Sequence, residues 1–405
     1  MRSSFALFVL VPVLAVAQAE PSPGSLLQAV SHAPTLTAAR QRIQAAQARV
    51  EASGRWADPE VEGMGSRRVG PMNERSTMWE LNVRQPLPKR GERAADRERA
   101  GAVVAMAEAE FAVMAGEMAA ETAMALAEAE GALARVRLME TQRGRLDAVQ
   151  RSVDSRLASG GGRLTDRLAV QTRLASLQLA IEDEQRLRAD ALAEAAGRLG
   201  LPPDGVLPAF AAPAAAEIDP DTAASVRLAA ARAAEAAAMV KMARSSARPM
   251  TAVGLRLELE RAGMGDEDTL GVAFMSEIPW RGRRYARAEE RAAEAERMAA
   301  QTDAEAVRHR IRTAVTRAER AERLAATARR LSLETLERFN AEYETLVRSA
   351  GVSGAGESTV FLVVELLEKA TETELQVIQA DTAARTARAE LWRYASPEPF
   401  FHVQP

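Results

Sequence analysis

The chain has 405 residues, of which 47% are hydrophobic, 4% aromatic and 27% charged, and its net charge at pH 7 is −3. This composition is typical of long helices that pack through small residues, and a slightly acidic chain gives no reason to expect a nucleic acid as partner. The sequence contains no cysteine, which excludes disulfides, thiolate chemistry and a lipid-modified N-terminal cysteine.

Residues 1–19 are predicted to be a cleaved signal peptide. Arg2 supplies the positive charge, residues 5–16 form an apolar stretch, and Ala17-Gln18-Ala19 has the small-x-small pattern of a cleavage site. The apolar stretch is too short to cross a bilayer. We therefore expect an exported mature chain that begins near Glu20.

The mature sequence contains the same unit twice, about 190 residues apart. Matching pairs occur in the same order in both copies: Leu36 with Val226, Arg42 with Arg232, Val50 with Val240, Pro59 with Pro249, Pro88 with Pro279, Arg90 with Arg281, and Gly91 with Gly282. This order implies duplication of a whole structural unit. We expect one repeat at 20–199 and a second at 221–395, joined by a Pro/Ala-rich linker at 200–220 and followed by a tail at 396–405.

Each repeat contains a predicted β-hairpin, at 59–87 and 249–280. The strands alternate apolar and polar residues with a period of two, which gives a strand one dry and one wet face. The apolar set, assigned to lipid, comprises Trp79, Leu81, Val83, Val253, Leu255, Leu257, Leu259, Leu270, Val272 and Phe274. The polar set, assigned to a water-filled lumen, comprises Glu80, Asn82, Arg84, Arg256, Glu258 and Glu260. In the first strand, Gly63 and Gly65 stand where apolar residues are expected. By itself the pattern also fits two soluble hairpins that are half-buried on helices.

A long helix and a shorter return helix follow each hairpin. Residues 92–158 contain no proline, which allows one helix about 100 Å long, and the return helix covers 164–199. Apolar residues step by three and four along both helices, as a packing stripe requires: Leu146, Val149, Val153 and Leu157 on the first, and Leu174, Leu177 and Ile181 on the second. The second repeat has a long helix at about 284–348 and its own return helix.

The number of strands sets the number of chains. Four strands do not close a barrel that has an interior, and open sheet edges are not tolerated in hydrocarbon. We therefore expect three chains to share one barrel. The predicted fold class is mainly α with membrane β: long antiparallel helical hairpins that form a tunnel, plus four strands per chain in a trimeric, twelve-stranded transmembrane barrel.

Four segments carry a resemblance to a known family. They are PTLTAARQRIQAAQARVEASGRWADPEVE, QPLPKRGERAADRERA, its echo SEIPWRGRRYARAEERA, and GGGRLTDRLAVQTRLASLQ. In order and spacing they resemble the TolC-type outer-membrane efflux channels, and within that family the outer-membrane factors of heavy-metal efflux pumps. The resemblance covers essentially the whole mature chain.

The resemblance implies a homotrimer in the outer membrane of a Gram-negative bacterium, with its helices in the periplasm. The implied partners are a periplasmic adaptor (membrane fusion protein), an inner-membrane efflux transporter and outer-membrane lipid. The chain departs from the family pattern in two respects, and one of them is a second turn that is longer than usual. Asp166 fits an acidic position near the helical turn, but its counterpart in the second repeat is apolar, Val360 or Phe361.

Two Gly-rich turns, at 159–163 and 349–358, are predicted to form the periplasmic end. The candidates for a charged aperture are Asp166, Glu357, Glu365 and Arg163, because rings of charge at a constriction set ion preference. The candidates for the adaptor-docking tip are Arg156, Ser159, Gly160, Gly161, Gly162, Gly354 and Gly356. Asp166 also fits a simple helix N-terminal acid, and the turns also fit simple caps.

We find no motif for catalysis, a cofactor or a metal. The three histidines, His32, His309 and His402, have no ligand spacing, and the chain lacks a nucleophile elbow and a phosphate-binding loop. The sequence predicts a passive duct for metal cations or small toxic compounds. A different class also remains open: a periplasmic adaptor or coiled-coil scaffold that never enters a membrane.

Overall fold

The computed structural model describes residues 24–69, 75–202, 205–208, 212–262, 265–277, 282–352 and 359–395. The helices are α1 (Gly24–Ser31), α2 (Pro34–Ala52), α3 (Glu92–Ala158), α4 (Leu164–Leu199), α5 (Ala224–Ser246), α6 (Gly282–Val352) and α7 (Thr359–Glu390), and the strands are β1 (Glu60–Val69), β2 (Arg75–Leu87), β3 (Met250–Ala262) and β4 (Gly265–Glu277). Short 3₁₀ helices cover Ala215–Glu217 and Leu391–Tyr394. The predicted mainly helical fold with four strands is confirmed.

Several sequence predictions fall outside the described residues. These are the signal peptide, the C-terminal tail, Gly354, Gly356 and Glu357. One helix end differs from the expectation: α6 continues to Val352, so residues 349–352 are helical although a turn was predicted there. Gly351 is the only glycine in that stretch, and a single glycine costs about 1 kcal/mol, which does not stop a long helix.

The chain forms two compact units. Unit 1 contains residues 1–37, 112–223 and 309–405, and unit 2 contains residues 38–111 and 224–308. Each unit therefore takes segments from both predicted repeats. The boundaries of the repeats stay a prediction, because they describe a similarity of sequence rather than of compactness.

Unit 2 contains the sheet. Its four strands are antiparallel and follow the order β1-β2-β3-β4, so two successive hairpins pair through β2 and β3. Among the described strands, β1 and β4 each have one neighbour and form the two edges. Alternate residues of each strand lie on opposite faces.

A tight turn between α2 and β1 positions the first hairpin. Gly54 adopts a φ of 61°, which glycine allows without strain. Its N–H donates to Asp96 Oδ2 at 2.7 Å, and its carbonyl oxygen accepts from Arg93 Nε at 2.6 Å. The guanidinium of Arg93 also lies 5.6 Å from the ring centroid of Trp56. The start of α3 thus holds the chain just before β1.

Unit 1 contains a core of branched apolar side chains, which we call the helix core. Its buried members are Val136, Met139 and Leu146 of α3, Leu177 and Ile181 of α4, and Val363 and Leu367 of α7. Tyr343 of α6 packs against them. The packing stripes predicted on α3 and α4 are confirmed where they enter this core, because Leu146 and Ile181 are 1% and 2% exposed.

Small residues bring helices of unit 1 close together. A Cβ atom placed on Gly131 of α3 would lie 2.7 Å from Cγ2 of Thr382 on α7. Thr382 is buried, and its hydroxyl donates to the carbonyl oxygen of Ile378, so it has little room to move. Gly144, on the same helix, has no atom within 4 Å of such a Cβ. Gly131 therefore lies at a close contact between two helices, whereas Gly144 does not.

We expect opposite effects from the same substitution at these two positions. Gly131→Ala forces α3 and α7 apart and should lower the free energy of unfolding by about 1–2 kcal/mol, the usual cost of overpacking. Gly144→Ala should raise it by up to about 1 kcal/mol through helix propensity. Denaturant unfolding followed by far-UV circular dichroism measures both. Equal shifts of the same sign would contradict the close approach at Gly131.

Candidate functional site

The register of the sheet gathers the predicted lipid-facing residues on one face. The rows across the strands are Trp79 with Leu259; Leu81 with Leu257 and Leu270; Val83 with Leu255 and Val272; and Val253 with Phe274. Leu270, Val272 and Phe274 are 74%, 78% and 70% exposed. Val83, Leu257 and Leu259 are half-buried. The chain thus presents a continuous apolar band.

The band has sharp polar limits. Toward the helices it ends at the pair Thr251 and Ser276. Toward the hairpin tips it ends where Arg261 forms ion pairs with Asp266 at 3.5 Å and Asp268 at 2.6 Å. Val253 and Leu259, the first and last leucine or valine of β3 in the band, are six positions apart, which corresponds to about 20 Å along the strand.

One of the two glycines of β1, Gly65, has a structural explanation. Gly65 is directly opposite Trp79, and a Cβ on Gly65 would lie 2.9 Å from Cζ3 of the indole. The indole therefore covers the glycine, and Trp79 supplies the apolar surface for both strands, the arrangement called aromatic rescue. The period-two pattern missed this feature because it scores each strand separately.

The opposite face of the sheet carries the predicted lumen residues. Asn82 Nδ2 donates to Glu80 Oε1 at 2.7 Å, and Arg256 contacts Glu80 at 3.1 Å and Glu258 at 3.2 Å. Arg84 contacts Glu60 and Glu62 of β1 at 3.4 and 3.5 Å. Glu260 lies on the same face, opposite Glu267. Carboxylates thus contact both Arg84 and Arg256, and every strand contributes at least one charged residue to this face.

The first helical turn depends on its glycines. Gly160 has a φ of 80°, and the N–H of Gly161 donates to the Arg156 carbonyl oxygen at 3.0 Å. A Cβ on Gly162 would lie 2.6 Å from the backbone nitrogen of Leu157. Gly160 and Gly161 both have open space around them, but the positive φ of Gly160 disfavours a side chain there. Ser159 and Arg163 are exposed at this turn, beside the half-buried Arg156.

Asp166 lines a cleft between the first turns of α4 and α7. The cleft has a volume of about 260 Å³, and Phe361 and Val364 form its apolar wall. Arg173 Nη2 and Glu368 Oε1 form an ion pair of 2.8 Å beside it. The structure therefore brings Asp166 and its apolar counterpart of the second repeat together. The sequence did not indicate the Arg173–Glu368 pair, because the two residues are far apart along the chain.

Another aperture candidate, Glu365, has an ion-pair partner on its own helix. Glu365 Oε1 lies 2.9 Å from Lys369 Nζ on the same helix. The hydrogen bond from this lysine to Glu365 raises the pKa of Lys369. Across the turn, Arg167 contacts Asp154 at 3.3 Å. Glu357 lies outside the described residues.

Two features are absent from the described residues, a membrane-spanning helix and a metal-ligand cluster. Within the described ranges, no helix has the length and apolar character that a membrane span needs. In the same ranges, no group of three or more His, Asp or Glu side chains is placed to hold a metal ion.

The sequence matches a family model over its first half. Residues 26–200 match the family described as outer membrane efflux protein. No curated protein sequence matches the chain.

The fold matches solved structures over almost its whole length. The outer-membrane channel OprN has 19% identity and a TM-score of 0.70, covering 92% of this chain and 89% of OprN. CusC, a protein that forms a transmembrane channel, has 15% identity and a TM-score of 0.68, covering 93% of both chains. The outer membrane protein VceC of Vibrio cholerae has 15% identity and a TM-score of 0.66, covering 93% of this chain and 99% of VceC.

The fold and the comparisons point to the same class of protein, the outer-membrane channels. The chain has the fold of outer-membrane channels, with long helices and a four-stranded sheet. Its first half carries the sequence pattern of the outer membrane efflux proteins. The predicted resemblance to that family is therefore confirmed.

One titratable group lies at the edge of the helix core. Glu374 of α7 is half-buried beside Leu375, which packs against that core. Burial raises the pKa of Glu374, and the positive charge of Arg145 opposes this rise. The folded state therefore favours the protonated carboxyl group, and it loses stability as the pH rises above the pKa of the unfolded chain.

We expect Glu374→Gln to stabilise the protein at neutral pH, where the wild-type carboxylate is charged. The gain should disappear at a pH below the unfolded-state pKa of glutamate, because the wild-type group is then neutral in both states. Thermal unfolding at both pH values measures the difference, with the exposed Glu372→Gln as control. A gain that is independent of pH would contradict the electrostatic explanation.

Proposed function

We propose that this chain is the outer-membrane exit duct of a tripartite efflux pump and conducts substrate passively from the periplasm to the exterior. Three copies would share a twelve-stranded barrel, and their helices would form a tunnel in the periplasm. The observation that carries the proposal is the sheet, with a continuous exposed apolar band on one face and a charged network on the other.

The exposed apolar band argues for insertion in lipid. Soluble proteins rarely expose a contiguous apolar surface of this kind, because water contact is unfavourable. The polar face, in contrast, needs water or protein around its charges. A sheet curved so that the apolar face meets lipid and the polar face lines a wet lumen satisfies both requirements.

The proposed duct also implies which partners the chain has. We infer a homotrimer, a periplasmic adaptor that docks at the helical turns, and an inner-membrane transporter that supplies energy. The glycine turn at Gly160–Gly162 supports docking at this end, because its exposed, side-chain-poor surface lets another protein approach closely. Substrate choice rests with the pump, so metal cations and small toxic compounds both fit the duct.

The second candidate function is a periplasmic adaptor or scaffold. It accounts for the antiparallel helices but leaves the exposed apolar band without a role. Carbonate extraction of isolated envelopes tests the two. A duct stays with the outer-membrane fraction after the wash, whereas a scaffold is released.

Adjacent residues of β4 test the two faces directly. Leu270→Arg places a charge on the apolar band and should cost about 2–4 kcal/mol near the membrane midplane, so the yield of outer-membrane trimer should fall. Thr269→Arg places the same charge on the polar face opposite Glu258 and should be tolerated. Membrane fractionation and trimer mobility on gels measure both. Equal losses would show that the faces are misassigned.

Ion conduction tests the aperture. Asp166→Asn should lower the cation preference of single channels in planar bilayers, because Asp166 has no cationic partner among the described residues. Glu365→Gln should change it less, since Lys369 already neutralises Glu365. Trimer yield serves as the control for folding. Unchanged selectivity with Asp166→Asn would place the constriction elsewhere.

A further inference from the structure

Six exposed arginines surround the ends of the strands that join the helices. We call them the basic collar: Arg55, Arg90, Arg97, Arg248, Arg284 and Arg287. All belong to unit 2 and lie within about ten residues of a strand end. Arg248 Nη1 donates to the carbonyl oxygen of Arg90, which brings two of them together.

Several other cations of unit 2 have carboxylate partners. Farther along the helices, Arg244 contacts Glu290 and Glu294, Lys241 contacts Glu98, and Arg99 contacts Glu235. Within the ranges that the structure covers, none of the six collar arginines forms an ion pair with a carboxylate. Gathering like charges without counter-ions is unfavourable. The collar therefore calls for an external anion.

Exposed aromatic rings lie among the collar arginines. Trp56 is 51% exposed and follows Arg55, and Tyr285 is 69% exposed between Arg284 and Arg287. Trp and Tyr are enriched where a membrane meets water. The apolar band ends at Thr251 and Ser276, and the collar begins just beyond this limit. At the other limit, Arg261 contacts Asp266 and Asp268, whereas the exposed Arg67 and Arg68 of β1 have no carboxylate partner among the described residues.

We propose that the basic collar binds the phosphate headgroups of anionic phospholipids in the periplasmic leaflet. Guanidinium groups bind phosphate through paired hydrogen bonds, and each arginine near an anionic membrane surface adds attraction. The collar would then fix the depth and orientation of the strands in the bilayer. This inference rests on the proposed membrane insertion and adds a lipid partner to it.

The test uses the full-length protein purified in neutral detergent. It is mixed with equal amounts of phosphatidylglycerol and phosphatidylcholine, separated by gel filtration, and its bound lipid is quantified by mass spectrometry. The wild type should retain phosphatidylglycerol preferentially. The triple variant Arg90→Gln, Arg284→Gln, Arg287→Gln should lose at least tenfold in this preference, since each charge contributes about fivefold.

Two further variants keep the test specific. Arg188→Gln, Arg320→Gln, Arg330→Gln removes three exposed arginines of unit 1 that also form no ion pair among the described residues, and it should keep the wild-type preference. Arg90→Lys, Arg284→Lys, Arg287→Lys keeps the charge but loses the paired hydrogen bonds, so it should retain only part of the preference, between the wild type and the Gln variant.

Several results would overturn the proposal. One is an unchanged preference in the Gln variant of the collar, and another is displacement of phosphatidylglycerol by inorganic phosphate at matched concentration. A third is loss of the trimer together with the lipid, because this result would point to carboxylates of a second copy as the anions. Flotation with phosphatidylcholine vesicles after carbonate washing separates the two proposals. Flotation without lipid preference leaves the duct standing and refutes the collar, whereas failure to float refutes both.

Discussion

Every backbone N–H and C=O group of a membrane strand needs a partner within protein, because hydrocarbon offers none. The sheet meets this condition in its interior, where β2 and β3 each pair on both sides. It does not meet it at β1 and β4, which pair on one side among the described strands. The requirement for neighbours at these two edges underlies the proposal of a shared barrel, and with it the trimer and a common lumen.

Hydrocarbon also offers no partner to a charged side chain, and this explains how charge is distributed on the sheet. On the polar face, Arg84 and Arg256 each contact two carboxylates, so the face stays wet without a large excess of positive charge. At the limit of the apolar band, Arg261 pairs with Asp266 and Asp268, and Arg67 of β1 lies in the same row. The arginines of the basic collar have no such partners in the described ranges. The charges of the polar face are thus largely balanced within the sheet, and those of the collar are the ones that the proposed lipid would balance.

The helices solve a different problem with small side chains. Gly131 allows α3 to approach Thr382 of α7, and buried alanines such as Ala119 and Ala123 fill α3 where bulk is excluded. Leucine, isoleucine and valine concentrate in the helix core. An alanine-rich helix has little apolar periodicity, so the sequence indicated helix length better than it indicated helix partners.

The sequence by itself determined the elements and the two faces of the sheet. Proline-free stretches and period-two alternation are local properties of the chain, and they predicted α3, α4 and the sharing of a face by residues such as Leu257 and Leu270. The tertiary structure decided which residues contact each other across strands and helices. The covering of Gly65 by Trp79, the Lys369 partner of Glu365 and the cleft at Asp166 depend on register, side-chain conformation and helix packing. Such contacts join residues across strands and helices, and no single-strand or single-helix pattern encodes them.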